Sequence, residues 1–477
     1  MSDQLAIRHH VSATARDAAS EATDSYPGAA LLNRLDRLPV TSPVLRARAI
    51  VGMATFFDGY TTLSIAYAVP ILHQTWHLTS QSTAGIISAG YVGQLIGALV
   101  FGWLAERAGR LPVLVTTITI FAIMSLACIF SWDASSMMLF RFLQGIGTGG
   151  EVPVASAYVN ELSTSKNRGR FFLLYELLFL VGLAFAGMIG YALVPVIGWQ
   201  AMFIVGTVPL LLIVPLSFTL SESPRWLIDH GQFAKAKEII ETLEKYATRK
   251  GGELPPPRPT TTPLITQKPS GSLKELFSPV YARRTLLLWV LWFGSYMVNN
   301  GLVTWLPTLY QTFFGITVKH AIGLGFAMTT ISTLGALICA LSIDKVGRRR
   351  WYTGALALGG ASLITLYVAG VSSLPVVFAL TTLSYACIQT ITYSLYLYSA
   401  ELYPTRLRST GAGFGSAWLR AGSIAGPLTI GTLVSNGSDG SIALVFGLFG
   451  VTAVITAGAV YLFGPETSGK SLENLSP

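Results

Sequence analysis

Five ionisable side chains stand inside long apolar runs of this 477-residue chain: Asp58, Arg141, Glu151, Glu176 and Arg420. Surrounded by hydrocarbon, each costs several kcal/mol unless it is paired, wetted by a cavity or used. A carboxyl in such a place can change its charge by taking up a proton. A guanidinium stays charged and presents a fork of donors matched to a carboxylate. The five residues therefore suit two chemistries, the carriage of protons and the binding of an anion. No nucleophile–base arrangement or phosphate-cradling loop accompanies them, so an enzyme is not expected and no cofactor is called for. Cys128, Cys339 and Cys387 lack the spacing of a metal site and read as packing residues.

The runs that carry these residues must be membrane helices. Hydrophobic residues make up 52% of the chain and charged ones 12%, against about 25% charged in soluble proteins. That balance excludes a cytosolic enzyme, a disordered chain and a disulfide-rich secreted domain. Stretches of about 20 apolar residues, the length needed to cross hydrocarbon, occur twelve times. They cover 48–72, 84–105, 111–130, 137–161, 170–191, 199–220, 284–311, 321–342, 350–370, 374–400, 409–433 and 441–463. Nothing alternates in the manner of barrel strands. The first 47 residues hold no apolar signal-peptide core, so the first span must direct insertion.

With both ends on one side, 29 of the 32 Lys and Arg fall in the tails and loops of that side or at the first residue of a span that leaves it. The exceptions are Arg141, Lys319 and Arg420. Because positive residues stay cytoplasmic, a multi-pass protein of the cell's inner (plasma) membrane with both termini in the cytoplasm is expected. The net charge of +9 is then mostly topology, and a nucleic-acid partner is not. The expected partners are membrane lipid, protons and a small-molecule substrate, with the chain a monomer.

A repeat divides the spans. Glu106-Arg107-Ala-Gly109-Arg110 recurs as Asp344-Lys345-Val-Gly347-Arg348, at an offset of 238, and Glu161 with Arg168 recurs as Glu401 with Arg408, at an offset of 240. Two parallel repeats of six spans are the arithmetic of an alternating-access transporter. The expected fold is all-α, with twelve transmembrane helices in two six-helix pseudo-symmetric halves. Its parts are a cytoplasmic tail (1–47), the first half (48–220), a cytoplasmic linker (221–283), the second half (284–463) and a second tail (464–477). Phe233, Ile239, Ile240, Leu243 and Tyr246 mark an amphipathic helix in the linker. A Pro/Thr-rich tract around 255–263 reads as flexible chain.

These loops resemble those of the major facilitator superfamily, whose motif G-x-x-x-D/E-R/K-x-G-R follows span 2 here and, with Ala340 for its first Gly, span 8. The branch of sugar porters, metabolite–proton symporters and organic-ion transporters is indicated by Arg141-Phe-Leu-Gln144-Gly145 through Glu151-Val-Pro153-Val154. Ser221-Glu222-Ser223-Pro224-Arg225, Glu401-Leu-Tyr403-Pro404-Thr405-Arg406 and Pro465-Glu466-Thr467 support it. The resemblance implies gating by Glu106, Arg107, Arg110, Glu161, Arg168, Asp344, Arg348, Glu401 and Arg408, pairing when the cytoplasmic side closes and parting when it opens. Fixing topology is the other role open to these charges.

The resemblance also implies a proton switch of Asp58 with Arg141. A nearby guanidinium favours the charged carboxylate, and losing that contact while buried favours the protonated form. A permanent ion pair is the alternative. Glu176 is a second candidate for proton coupling, and Glu151, among small residues, reads as structural. Asp58-Gly59-Tyr60 is similar to the D-G-Y-D of aromatic-acid–proton symporters, with Thr61 in place of the second acid. Arg420 occupies the R-x-G setting in which organic-anion carriers face their substrate; a pair with Glu176 is its other possible role.

Helical spacing aligns Trp292, Tyr296 and Asn299 or Asn300 on span 7, and Gln389 with Tyr393 on span 10. With Tyr60, Gln94 and Arg420 they form the expected substrate-binding set; the helix-7 Gln pair of sugar porters is missing. The reading is proton-coupled symport of a small organic anion, a monocarboxylate and an aromatic one among the candidates. A sugar or organic-cation carrier of the same fold, or a receptor-like membrane protein that moves nothing, stays open as an alternative.

Overall fold

The computed structural model describes residues 27–162, 168–248, 254, 273–403, 405–435 and 439–468. Five unbroken helices form the first spans: Ser42–Thr75, Ser80–Ala108, Arg110–Ile129, Ala134–Glu161 and Arg168–Ile197. Span 6 differs from the continuous helix expected over 199–220. It runs as Gln200–Val205, a 3-10 turn Val208–Leu212 and Ile213–Thr219, because Pro209 and Pro215 each lack the N–H that a continuous helix uses. Spans 7–12 are Ala282–Phe314, Val318–Val346, Arg348–Ala369, Leu374–Leu402, Thr405–Val434 and Asp439–Phe463.

The helices begin where short polar side chains take up free backbone donors. Thr79 accepts from the N–H of Ser82 and Thr317 from that of His320. Asp133 and Ser136 form a reciprocal capping box at span 4. Nine spans among the described residues are long and apolar enough to cross a membrane by composition alone. The three that fall short are spans 1, 4 and 11, which carry Asp58, Arg141 with Glu151, and Arg420. Their polar content faces protein instead of lipid.

Within the first half, span 2 packs on span 4, span 1 on span 5 and span 3 on span 4. The second half repeats this with 8 on 10, 7 on 11 and 9 on 10. The halves meet through span 2 against 11 and span 5 against 8, with 1 beside 7. An even number of spans puts both ends of the described chain on one side, here called the termini side. Among the described residues several contacts across the halves lie on the far side of Arg420. Ser88 Oγ donates to the Ile424 carbonyl at 3.4 Å and Thr333 Oγ1 to that of Leu180 at 3.4 Å. Gly431 abuts Ala84, and Gly187 abuts Phe326.

On the termini side each half is fastened by the same device. Arg110 binds Glu161 and Glu106, each at 3.1 Å. Arg348 binds Glu401 at 3.0 Å and Asp344 at 2.6 Å. Glu222 accepts from the backbone N–H groups of Arg110, Leu111 and Ser223, and Glu466 from those of Arg348, Arg349, Thr467 and Ser468. Each carboxylate thus caps the helix N-terminus of span 3 or span 9, where the dipole favours negative charge. Burial raises the Glu222 carboxyl above its usual range, and the backbone donors oppose that shift. Tyr158 and Tyr398 close the pattern, donating to the carbonyls of Ser221 and Pro465 at 2.7 and 2.9 Å.

A helix over Pro27–Asp36 lies inside the stretch read as plain tail. Its Leu31 and Leu35 meet Ile228, Ile240 and Leu243 of the linker, whose helix is Phe233–Thr248. Arg34 and Arg37 grip Glu244 at 2.6 and 2.7 Å and hold its carboxyl below the usual range, the Arg34 hydrogen bond being the largest cause. The Pro/Thr-rich tract lies outside the described residues.

Gly109 and Gly347 have φ of +103° and +92°. A Cβ there would stand 2.3 Å from a Glu222 carboxylate oxygen and 2.4 Å from one of Glu466. Gly109→Ala and Gly347→Ala are each expected to destabilise the protein by about 1–3 kcal/mol, read as a lowered thermal midpoint in detergent. Melting unchanged in both would show that these caps carry no strain.

Candidate functional site

Between the halves lies a central cavity of about 890 Å³, open solvent included. Spans 1, 2, 4 and 5 wall one side; spans 7, 10 and 11 wall the other. It gathers Asp58, Gln94, Glu176, Tyr296, Asn299, Asn300, Gln389, Tyr393 and Arg420, which in the sequence are spread over more than 360 residues. Phe179, Leu180, Leu183, Val303 and Leu419 give it apolar surface.

Arg420 is 4% exposed. Its Nε donates to the Gln94 carbonyl at 3.0 Å and its Nη2 faces that of Gly149 at 3.5 Å. Nη1 bonds the carbonyl of Ser416 at 3.1 Å and that residue's hydroxyl. Glycine makes these acceptors reachable: a Cβ on Gly149 would lie 2.2 Å from the Gln94 carbonyl oxygen. Among the described residues no carboxylate lies within 4.0 Å of this guanidinium. The Glu176 pair that the sequence left open is therefore absent, and the positive charge faces the cavity with neutral partners only.

Arg141 does not pair with Asp58 in the state described. It is buried at 5% exposure and donates to the Thr61 carbonyl at 3.2 Å and to Gln144 Oε1 at 2.5 Å. Gln144 in turn donates to Ser125 Oγ at 2.6 Å. Among the described residues it pairs with no carboxylate, and it does not line the cavity. It braces spans 1, 3 and 4 one turn along from Asp58. The cation in electrostatic reach of Asp58 is Arg420.

Two expected substrate contacts are also corrected. Tyr60 is fully buried and donates to the Met202 carbonyl at 2.9 Å, tying span 1 to span 6. Trp292 donates to Ser399 Oγ at 3.1 Å. It lies behind Tyr296 and Tyr396, with ring centroids at 5.6 and 4.7 Å, so it supports cavity rings without lining the cavity. Helical spacing placed both on the right helix, but a period of 3.6 does not say how deep a face lies.

Of the expected gating residues, Glu106, Arg110, Glu161, Asp344, Arg348 and Glu401 form the two clusters described above. Each cluster joins helices of one half. Arg107 lies over the Trp103 ring at 4.0 Å. The side chains of Arg168 and Arg408 lie outside the described residues. Spacing alone did not reveal the capping by Glu222 and Glu466, although both stand in motifs at matching loops.

Tyr91, Tyr385, Thr392, Tyr396 and Ser423 also line the cavity. Ser423 accepts from Asn300 Nδ2 at 2.6 Å, Gln94 donates to Thr62 at 3.3 Å and Tyr296 to the Thr392 carbonyl at 3.3 Å. Asp58 Oδ1, Asn299 Oδ1, Gln389 Oε1 and the Tyr385 hydroxyl have no hydrogen-bond partner among the described residues. Buried polar atoms left this way await a ligand or water.

Two six-helix halves around a polar central cavity define a multi-pass membrane transporter of the major facilitator type. The chain belongs to the family described as "Sugar (and other) transporter", which matches residues 47–477; its members are transporters, not enzymes. It is 31% identical over 450 residues to the niacin transporter of Acinetobacter baylyi, covering 93% of this chain and 99% of that one. The 4-hydroxybenzoate transporter of the same organism is 29% identical, covering 86% of this chain and 89% of its own. The xylose transporter of E. coli, in a partially occluded inward open conformation, has the same fold. Its TM-score is 0.70 at 20% identity, covering 90% of this chain and 100% of that one.

Tyr60→Phe removes one buried hydrogen bond and is expected to cost about 1 kcal/mol of stability while leaving ligand affinity unchanged. A loss of ligand binding in that variant, measured by thermal shift, would return Tyr60 to the binding site.

Proposed function

We propose that this protein is a proton-coupled symporter of a small aromatic or heteroaromatic monocarboxylate. One observation carries the reading: a buried guanidinium, Arg420, faces the cavity without a carboxylate partner among the described residues. An anion arriving there gains charge-assisted hydrogen bonds in a low-dielectric site. Phe179, Tyr296, Tyr393 and Tyr396 supply ring faces around it, and Asn299, Tyr385 and Gln389 supply polar groups for a ring substituent. The relatives named for niacin and 4-hydroxybenzoate transport support this class.

Asp58 and Glu176 share the cavity with Arg420 and are the proton-coupling groups of this reading. A proton on Asp58 or Glu176 offsets the charge of the anion, so that the loaded site is less costly to carry through hydrocarbon. The termini side is the cytoplasmic face of the cell membrane, as the distribution of Lys and Arg supports. The state described is then closed to the outside. The protein acts as a monomer, with the linker helix and the Pro27–Asp36 helix forming a cytoplasmic layer under the first half.

Nicotinate is the probe for this reading. It is expected to raise the thermal midpoint of purified protein, more at acid pH than at alkaline pH, where xylose has no effect. Truncating one partner of a buried, hydrogen-bonded charge pair costs about 2 kcal/mol or more, so Arg420→Ala should weaken nicotinate binding at least about thirtyfold. In proteoliposomes, an outside-acid gradient should drive nicotinate accumulation, and Asp58→Asn should abolish that drive. Stabilisation by xylose alone, or equal nicotinate affinity in Arg420→Ala, would overturn the anion reading.

A further inference from the structure

Glu151 lies outside the cavity and is used by nothing described so far. It is 0% exposed, in the middle of span 4. Its Oε1 lies 2.9 Å from Thr55 Oγ1 on span 1, and its Oε2 has no hydrogen-bond partner among the described residues. No cation lies within 4.0 Å of it among those residues.

The groups that face it can be named helix by helix. Span 1 offers Asp58, one turn beyond Thr55, and Arg48, two turns from Thr55 toward the termini side. Span 5 offers Glu176. Between their ends, spans 2 and 3 carry no ionisable residue but Tyr91 and Cys128. On span 4 itself, Arg141 is ten residues away and engaged with Thr61 and Gln144. Arg420 reaches only the Gly149 carbonyl on this helix.

An ionised carboxylate with one neutral donor and two acids nearby is costly to hold in a protein interior. The observed geometry serves a protonated one equally well. Thr55 Oγ1 also lies 3.4 Å from the Val51 carbonyl. When Glu151 is protonated, its O–H donates to Thr55 and Thr55 donates to Val51. When it is ionised, the Thr55 hydroxyl turns and donates to Glu151. One rotation of a hydroxyl therefore accommodates both charge states without moving a helix.

We infer that Glu151 is a further proton-carrying residue of the transport cycle, bonded to Thr55 one helical turn from Asp58 toward the termini side and exchanging its proton through the Thr55–Asp58 face of span 1. The inference rests on the proton-coupled reading above. In each cycle one proton binds the carboxylate, leaving it neutral, and the same proton is later lost to water on the termini side. No other bond changes.

The test uses the full chain in proteoliposomes with nicotinate as probe. Glu151→Gln keeps an acceptor for Thr55 but cannot titrate. Accumulation driven by an outside-acid gradient should fall to the level seen without a gradient, while counterflow at equal pH, which moves no net proton, persists. Glu151→Asp, which keeps a carboxyl, should recover gradient drive. Gradient-driven accumulation equal to wild type in Glu151→Gln overturns this inference and leaves the coupled reading standing. A wild type indifferent to the gradient overturns both. Should Glu151→Gln lose counterflow as well, infrared titration of the protonated-carboxyl band decides. A midpoint shifted between wild type and Glu151→Asp is expected, and an unchanged midpoint overturns the assignment.

Discussion

The structure depends on the cost of placing charge in hydrocarbon. Nine of the described spans are apolar enough by composition alone, and the charges that set spans 1, 4 and 11 apart are buried in protein. Arg420 is the sharpest case. Its guanidinium is satisfied by the carbonyls of Gln94, Gly149 and Ser416, which neutralise no charge. In the proposed reading this guanidinium receives the anion. Asp58 and Glu176 share the same space and, in that reading, adjust its charge by binding protons.

The rest of the molecule keeps each half rigid enough for that charge balance to matter. Glu222 and Glu466 cap spans 3 and 9, Arg110 and Arg348 clamp acids of the same half, and Tyr158 and Tyr398 fasten the loops that supply the caps. Individually, partly exposed ion pairs contribute little. Here each arginine joins two acids and each capping carboxylate collects several backbone donors, so the pieces reinforce one another. Among the described residues no ion pair crosses between the halves, which meet through the span 2–11 and 5–8 contacts.

Much of the architecture was legible in the chain. Apolar run length marked the spans, and motif recurrence paired the halves. The cavity set was legible in part: Asn299, Asn300, Tyr296, Gln389 and Tyr393 fall on faces that spacing identifies. Tyr60 and Trp292 share those patterns yet support neighbours, because periodicity reports direction around a helix and not the depth of the wall it faces. The break in span 6 was signalled by Pro209 and Pro215, whose missing donors outweigh an apolar composition.

By itself the sequence determined that this is a twelve-span protein with two related halves and a few charges too costly to be idle. Composition and spacing suffice for that, since lipid imposes the same demand on every span. Only the tertiary structure decided which charges meet. Arg141 braces Thr61 and Gln144, and among the described residues Arg420 faces the cavity without a carboxylate partner and Glu151 bonds Thr55 alone. These outcomes turn on contacts between helices far apart in the chain, made at separations of a few ångströms that no local pattern encodes.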